Sequence, residues 1–185
     1  MSGRWGWAGL WLLTGCVSVV TSAAGPTALE RQLLGAYDEL DRDLVLAASV
    51  RGGAALTPGS PEALHAAAVE GRALMRFDED DVLELKQLGC LGESLEALLV
   101  AQPCAQQGAQ EKRLARVIRD ENQAREAVLA WAAHLLAREL GRDAPTMAEL
   151  AEMRAAYRRL LLETAAPGQL FEVTPNRYQP LPAKP

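Results

Sequence analysis

The polar residues whose types and spacing could do chemistry lie in two short segments. Glu121 and Asn122 stand within an apolar stripe, and Arg125 follows Glu121 by four residues. A carboxylate on an apolar face needs a charged partner, and on a helix a residue four positions away can supply one. Glu93, directly after Gly92, could cap the following turn or belong to a site. The sequence therefore predicts a polar clasp formed by Glu121, Asn122 and Arg125, which is either structural or a site for a ligand or partner.

Glu93 and Glu121 are also the two carboxylates that an enzyme could use as a paired general acid and base. Such pairs work within about 9.5 Å of each other. The sequence contains no hydrolase elbow, phosphate-binding glycine loop or zinc-binding helix motif. His65 and His134 have no carboxylate or cysteine at ligand spacing, and they are predicted to be ordinary helix-surface residues. We therefore expect no catalytic residue, no cofactor and no bound metal, with an enzyme as the less favoured alternative.

The amino terminus has the features of a secretory signal. An apolar run over residues 5–13 is too short to cross a bilayer, which takes about 20 residues. Residues 13–16 (LTGC) then match the lipobox of bacterial lipoproteins, in which the cysteine is lipidated and becomes the first residue of the mature chain. We expect a signal peptide over residues 1–15 and lipid on Cys16. The alternative is cleavage after Ala24, which would release a soluble periplasmic protein.

The charge balance narrows the class of partner. The formal net charge is -5, and the chain has no dense cluster of Lys and Arg. Nucleic acid and electrostatic adhesion to anionic lipid are both disfavoured, because each needs concentrated positive charge. Membrane attachment is therefore expected through the lipid on Cys16, with residues 16–27 as the lipidated cysteine and its tether. Val17 is not the Asp that is typical of inner-membrane retention, which favours the periplasmic face of the outer membrane.

Lipidation of Cys16 leaves Cys90 and Cys104 as an even pair of cysteines in an oxidising compartment. A disulfide is the natural interpretation. Closing a loop of about 15 residues would stabilise the fold by about 3 kcal/mol. The alternative is two buried free thiols.

The elements that must position these residues are predicted to be helices. Apolar residues recur at steps of three and four, which is typical of amphipathic helices. Helices are expected over residues 28–50, 61–76, 79–87, 111–139 and 146–164, and the last begins with a capping box. Asp78 is expected to cap the third of these helices. Between Gly89 and Gly108 we expect a turn, one or two helical turns and a loop. The predicted fold class is all-α, a small bundle of four to five helices with an irregular glycine-rich segment and an extended, proline-rich tail. We expect one domain over residues 28–172 and a disordered tail over residues 173–185, with 170–173 as a short extended segment.

Four stretches together resemble a known family. They are residues 29–37 with 48–51, residues 85–93 (LKQLGCLGE), Glu121-Asn122 with Arg125, and residues 165–168 (AAPG). In this order they resemble the YdbL-type family of small periplasmic proteins, a domain of unknown function that also occurs as lipoproteins. The family has no established enzymatic activity. In enteric bacteria its members are encoded beside a large AsmA-like protein and a small lipoprotein implicated in moving phospholipid between membranes, which implies an accessory or chaperone-like role.

The sequence thus predicts a non-enzymatic interaction module that is tethered to the outer membrane and acts on an envelope protein partner. The alternative is a structural protein that self-associates through its helical stripes. The expected recognition surface is the glycine-rich segment together with the clasp, namely Gly89, Gly92, Glu93, Glu121, Asn122 and Arg125.

Overall fold

The computed structural model describes residues 26–47, 57, 59–105 and 107–183. Within them the chain forms four helices and four short strands. In chain order these are α1 (Ala28–Ala47), α2 (Pro61–Gln87), β1 (Leu91–Glu93), β2 (Leu99–Ala101), α3 (Gln107–Glu139), α4 (Met147–Thr164), β3 (Leu170–Thr174) and β4 (Arg177–Pro180). The expected signal peptide, the lipidation at Cys16 and the alternative cleavage at Ala24 lie outside the described residues.

The all-α prediction is wrong, because the strands form one mixed sheet with the order β2-β1-β3-β4. β1 runs antiparallel to β2 and parallel to β3, with Gly92 opposite Val100 on one side and Leu170 on the other. The segment between Gly89 and Gly108, expected to be helical turns and a loop, is largely this β1–β2 hairpin. Strands of three residues are too short to show the alternation of apolar and polar residues that identifies a strand in a sequence.

The prediction of a disordered tail, which covered residues 173–185, is corrected for residues 173–180 by the β3–β4 hairpin. Backbone hydrogen bonds continue past β4, since Leu181 N donates to Gln169 O at 2.9 Å and Gly168 N donates to Leu181 O at 2.9 Å. The prolines do not prevent pairing, because Pro175 lies in the turn and Pro180 is the last residue of β4. A proline excludes a strand only where its missing N–H is needed by the ladder.

The predicted starts of α2 and α4 are confirmed, but α3 begins at Gln107 and not at residue 111, and one predicted break does not exist. Ser60 caps α2 by accepting a hydrogen bond from Ala63 N at 3.2 Å, and the capping box of Thr146 and Glu149 begins α4. The predicted helices over residues 61–76 and 79–87 form one continuous helix. Asp78, expected to cap the second of them, is instead fully buried in α2 and accepts a hydrogen bond from Arg116 at 2.7 Å.

The core has two parts. The larger lies among the four helices and includes Leu33, Leu40, Val128 and Met153, each fully buried. The smaller lies beneath the β1–β2 hairpin, between the end of α2 and the start of α3, and consists of Val82, Leu85, Cys90, Leu91, Leu99, Leu114 and Val117. The hairpin is therefore packed against the two long helices and held in a fixed position over α3.

The two long helices approach each other closely at Gly71. A Cβ atom added there would lie 2.9 Å from the carbonyl oxygen of Ala124 on α3. Only glycine permits this contact between two backbones. In the part of the chain described here, no helix combines the length and the apolar character needed to cross a bilayer.

Candidate functional site

Arg125 lies at the centre of a buried ion cluster, which we define as Lys86, Glu93, Glu121 and Arg125. Its guanidinium binds Glu93 through two nitrogens, at 2.6 and 3.0 Å, and its Nε donates to Glu121 Oε1 at 2.8 Å. Lys86 Nζ donates to the same Glu93 at 2.6 Å. Glu93 and Arg125 are 0% and 1% exposed. The cluster contains two cations and two carboxylates, so the charges that it buries balance.

The members of the ion cluster come from three parts of the fold. Glu121 and Arg125 are four residues apart on α3, so their side chains lie on one face of that helix. Glu93 is the last residue of β1, and Lys86 is in the last turn of α2. The cluster therefore joins α2, α3 and the sheet, whereas the sequence predicted only the contact between Glu121 and Arg125.

Arg125 also holds the turn between β1 and β2. Its Nη1 donates to the carbonyl oxygen of Ala97 at 2.8 Å. Ala97 has a φ of 59°, a left-handed conformation that costs an L-residue about 1–2 kcal/mol. The turn is closed by hydrogen bonds from Ser94 N to Leu98 O and from Ala97 N to Ser94 O. A charge-assisted hydrogen bond from the buried guanidinium helps to offset the strain at this position.

Asn122 of α3 is hydrogen-bonded to β2. Its Oδ1 accepts a hydrogen bond from Leu99 N at 2.8 Å, and its Nδ2 donates to Leu99 O at 3.0 Å. The side-chain amide thus binds both backbone polar groups of Leu99, as a neighbouring strand would. Asn122 and Arg125 of the predicted clasp therefore both bind the β1–β2 hairpin or its turn, whereas Glu121 binds Arg125.

The two glycines of the predicted recognition surface have different positions. Gly92 lies in β1 beside Glu93, and a Cβ added there would meet the Tyr178 ring of β4 at 2.7 Å. Gly89 follows α2 with a φ of 69°, the left-handed conformation with which many helices end. Gly92 therefore belongs to the surroundings of the ion cluster, and Gly89 serves the end of the helix.

Cys90 and Cys104 form a disulfide with a Cα–Cα distance of 5.0 Å, which is the predicted pairing. Cys90 directly precedes β1 and Cys104 follows β2, so the bond closes the open end of the hairpin. Gln102 N donates to Cys90 O at 2.8 Å and extends the pairing towards the bond. The disulfide and Asn122 thus fix different parts of the same hairpin.

The pKa of the Glu93 carboxyl is strongly lowered. Burial alone would raise this pKa, but the charges and hydrogen bonds of Arg125 and Lys86 outweigh burial and hold the pKa at about 2. Glu93 is therefore ionised at neutral pH and holds no proton to donate as a general acid. Glu93 and Glu121 do approach each other, but the guanidinium of Arg125 lies between them.

We expect the free energy of unfolding to fall as the pH is lowered from about 5 to about 2, in part because of Glu93. Its pKa is about 2 in the folded chain against 4.5 in a model compound, so the unfolded chain binds the proton first. The stabilisation is complete above pH 4.5 and is lost as the pH falls through the folded-state value. Urea unfolding at several pH values should show a shallower dependence for Glu93→Gln. Glu96→Gln, in the exposed turn nearby, is the control; equal slopes for Glu93→Gln and wild type would contradict the assignment.

An open groove of about 490 Å³ lies beside the ion cluster and is lined by residues of α2, α3 and α4. Its cations are already paired, since Arg72 and Arg76 bind Asp41 at 2.6 and 2.8 Å. Glu121 lines the groove, and its Oε2 has no hydrogen-bond donor among the described residues. The groove therefore has mixed polar and apolar walls, and it offers a carboxylate acceptor in preference to free positive charge.

The two histidines are not the surface residues that the sequence predicted. His134 is 5% exposed, and its ring stacks on Trp131 with centroids 5.7 Å apart. His65 is half-buried and its Nε2 lies 2.9 Å from Asp43 Oδ2. The two partners are 22 residues apart on different helices, so spacing along the chain gave no signal of this pair.

Comparisons with known proteins give no relative for this chain: no family model matches it, and neither a curated protein nor a solved structure matches it. The resemblance to the YdbL-type family therefore rests on the short stretches quoted above.

Proposed function

We propose that this protein is a lipid-anchored, non-enzymatic interaction module of a bacterial cell envelope, held on the periplasmic face of the outer membrane by Cys16. The observation that carries the proposal is the disulfide between Cys90 and Cys104. Disulfides persist in oxidising compartments such as the periplasm. The third cysteine of the chain, Cys16, stands at the end of a secretory signal in a lipobox. The three cysteines therefore have consistent roles in one compartment.

The pairing of the buried charges supports a binding role over a catalytic one. Arg125 binds both Glu93 and Glu121 and also donates to the hairpin backbone at Ala97, so these side chains rigidify a surface. The turn of the hairpin exposes Leu95, which is 37% exposed. A rigid hairpin with an apolar tip, beside a groove, is suited to a protein partner, because preorganisation reduces the entropy lost on binding.

The partner that we propose is another protein of the envelope. The resemblance to the YdbL-type family extends this proposal to an accessory role beside an AsmA-like lipid-transport protein. Self-association is the competing interpretation. Identifying the protein that crosslinks to this chain in living cells distinguishes an envelope partner from a second copy of the chain.

Lipidation is tested by metabolic labelling with palmitate. The wild-type chain should incorporate the label and fractionate with the outer membrane, and Cys16→Ser should do neither. Cys90→Ser with Cys104→Ser is the matched control, since it removes two cysteines and keeps the lipobox. Incorporation by Cys16→Ser, or a failure of the wild-type chain to incorporate the label, would contradict the anchor.

The interaction surface is tested by crosslinking in living cells with a photoreactive residue in place of Leu95. We expect a specific adduct with one envelope protein, reduced when Cys16→Ser is added. Met147, 80% exposed at the start of α4, is the control position and should not give this adduct. An adduct with a second copy of the chain would favour self-association. The same adduct from both positions, or none from Leu95, would overturn the proposed surface.

A further inference from the structure

Three side chains of metal-ligating type meet between α1 and α2, away from the ion cluster. Glu39 and Asp43 are four residues apart on α1 and share a face of that helix, and His65 lies near the start of α2. One ligand atom from each residue lies within 4.8 Å of the other two, and all three residues are half-buried. The set combines one imidazole with two carboxylates from two packed helices.

The imidazole is held in place from two sides. Its Nε2 lies 2.9 Å from Asp43 Oδ2, and its ring packs on Trp131 of α3 with centroids 4.8 Å apart. Two atoms that bind one tetrahedral ion at about 2.0–2.1 Å lie about 3.3 Å apart. The spacings here are at most 4.8 Å, and that between His65 Nε2 and Asp43 Oδ2 is 2.9 Å. The three ligand atoms are therefore already close to the spacing that one ion requires.

A cavity beside these residues carries a second indication of a bound ligand. It has a volume of about 220 Å³, and its walls include Glu39, His65 and Trp131. Trp131 is only 6% exposed, and its indole Nε1 has no acceptor among the described residues. Buried donors without an acceptor are rare in folded proteins. We therefore expect a group outside the described residues to accept the hydrogen bond from this N–H.

We propose that Glu39, Asp43 and His65 bind a divalent transition metal of the zinc type, and that a metal-bound water accepts the hydrogen bond of the Trp131 indole. Imidazole nitrogen with carboxylate oxygen is a ligand set of Zn²⁺, and three protein ligands leave one position of a tetrahedral ion for water. Ca²⁺ and Mg²⁺ prefer oxygen ligands alone. The proposal is independent of the proposed function, since it involves neither the hairpin nor the ion cluster.

The site is tested by calorimetric titration of the full-length, tag-free chain in detergent with ZnCl₂, after metal has been removed with a chelator. We expect one equivalent to bind, unaffected by excess Mg²⁺, and we expect Co²⁺ to give visible absorption typical of a four-coordinate ion. His65→Gln should raise the Zn²⁺ dissociation constant by at least about 10-fold. Glu39→Gln should also raise it, and this variant retains the contact between His65 and Asp43.

Asp38→Asn is the matched control, because it removes one carboxylate from the exposed side of α1 next to Glu39. It should bind Zn²⁺ as the wild-type chain does. Far-UV circular dichroism before titration establishes that each variant is folded. The proposal is overturned if the wild-type chain binds no Zn²⁺, or if His65→Gln and Glu39→Gln bind as tightly as Asp38→Asn.

Discussion

Replacing Arg125 with methionine is expected to lower the free energy of unfolding by about 3–5 kcal/mol. The substitution leaves the fully buried Glu93 carboxylate with Lys86 as its remaining cation. Glu121 is 4% exposed, and among the described residues neither of its carboxylate oxygens would then have a hydrogen-bond donor. It also removes the hydrogen bond to the strained Ala97. A buried charge without its partner is more costly than the loss of the pair's attraction alone. Urea unfolding at neutral pH measures the change.

Arg119→Met is the matched control, since Arg119 is on the same helix but its side chain is 69% exposed and, among the described residues, is paired only with the adjacent Asp120. Its effect should stay within about 1 kcal/mol, as for most surface ion pairs. Adding Glu121→Gln to Arg125→Met should recover part of the loss, because a neutral amide is easier to bury than a carboxylate. If Arg125→Met were no more harmful than Arg119→Met, the ion cluster would not be a main support of the fold.

Reduction of the disulfide is expected to lower the free energy of unfolding by about 3 kcal/mol, the value expected when a loop of this length is released in the unfolded chain. The two cysteines are 14 residues apart. Reduction keeps both sulfur atoms in place, so it changes the constraint on the chain without opening a cavity beside the fully buried Cys90. Urea unfolding of the oxidised and reduced chain measures the difference.

Cys90→Ala with Cys104→Ala should lose at least as much stability as reduction does, since it also removes volume from the smaller core. The double variant should then be insensitive to reductant, which is the internal control. A reduced chain as stable as the oxidised one would show that the contacts of Asn122 and the smaller core hold the hairpin without the disulfide.

The helices could be predicted from the sequence because their signals are local. Apolar residues at steps of three and four define α3 and α4, and the capping box at Thr146 fixes the start of α4. The missing break in α2 has a tertiary cause. Asp78 resembles a helix cap in the sequence, but the guanidinium of Arg116, from α3, binds it within a continuous helix.

The sheet could not be predicted because its partners are far apart in the chain. β1 and β3 are separated by two helices, yet Glu93 pairs with Phe171. Glu172 of β3 accepts hydrogen bonds from the backbone N–H of Leu95 and Asn176, one in each hairpin turn. A strand of three to five residues has few local contacts, so its stability comes almost entirely from such distant partners.

The sequence by itself predicted the residues on which the proposed function depends: the cysteine of the lipobox-like segment, the even pair of remaining cysteines and the charged pair four residues apart on a helix. The lipobox and the charged pair can each be recognised within a few neighbouring residues, and the cysteine pair depends only on the number of cysteines in the chain. Only the tertiary structure decided what the charged pair binds, because Glu93 reaches Arg125 from β1 and Lys86 reaches Glu93 from α2. Only the tertiary structure showed that His65 lies beside Asp43, because folding brings side chains on packed helices together and their spacing along the chain does not indicate the contact.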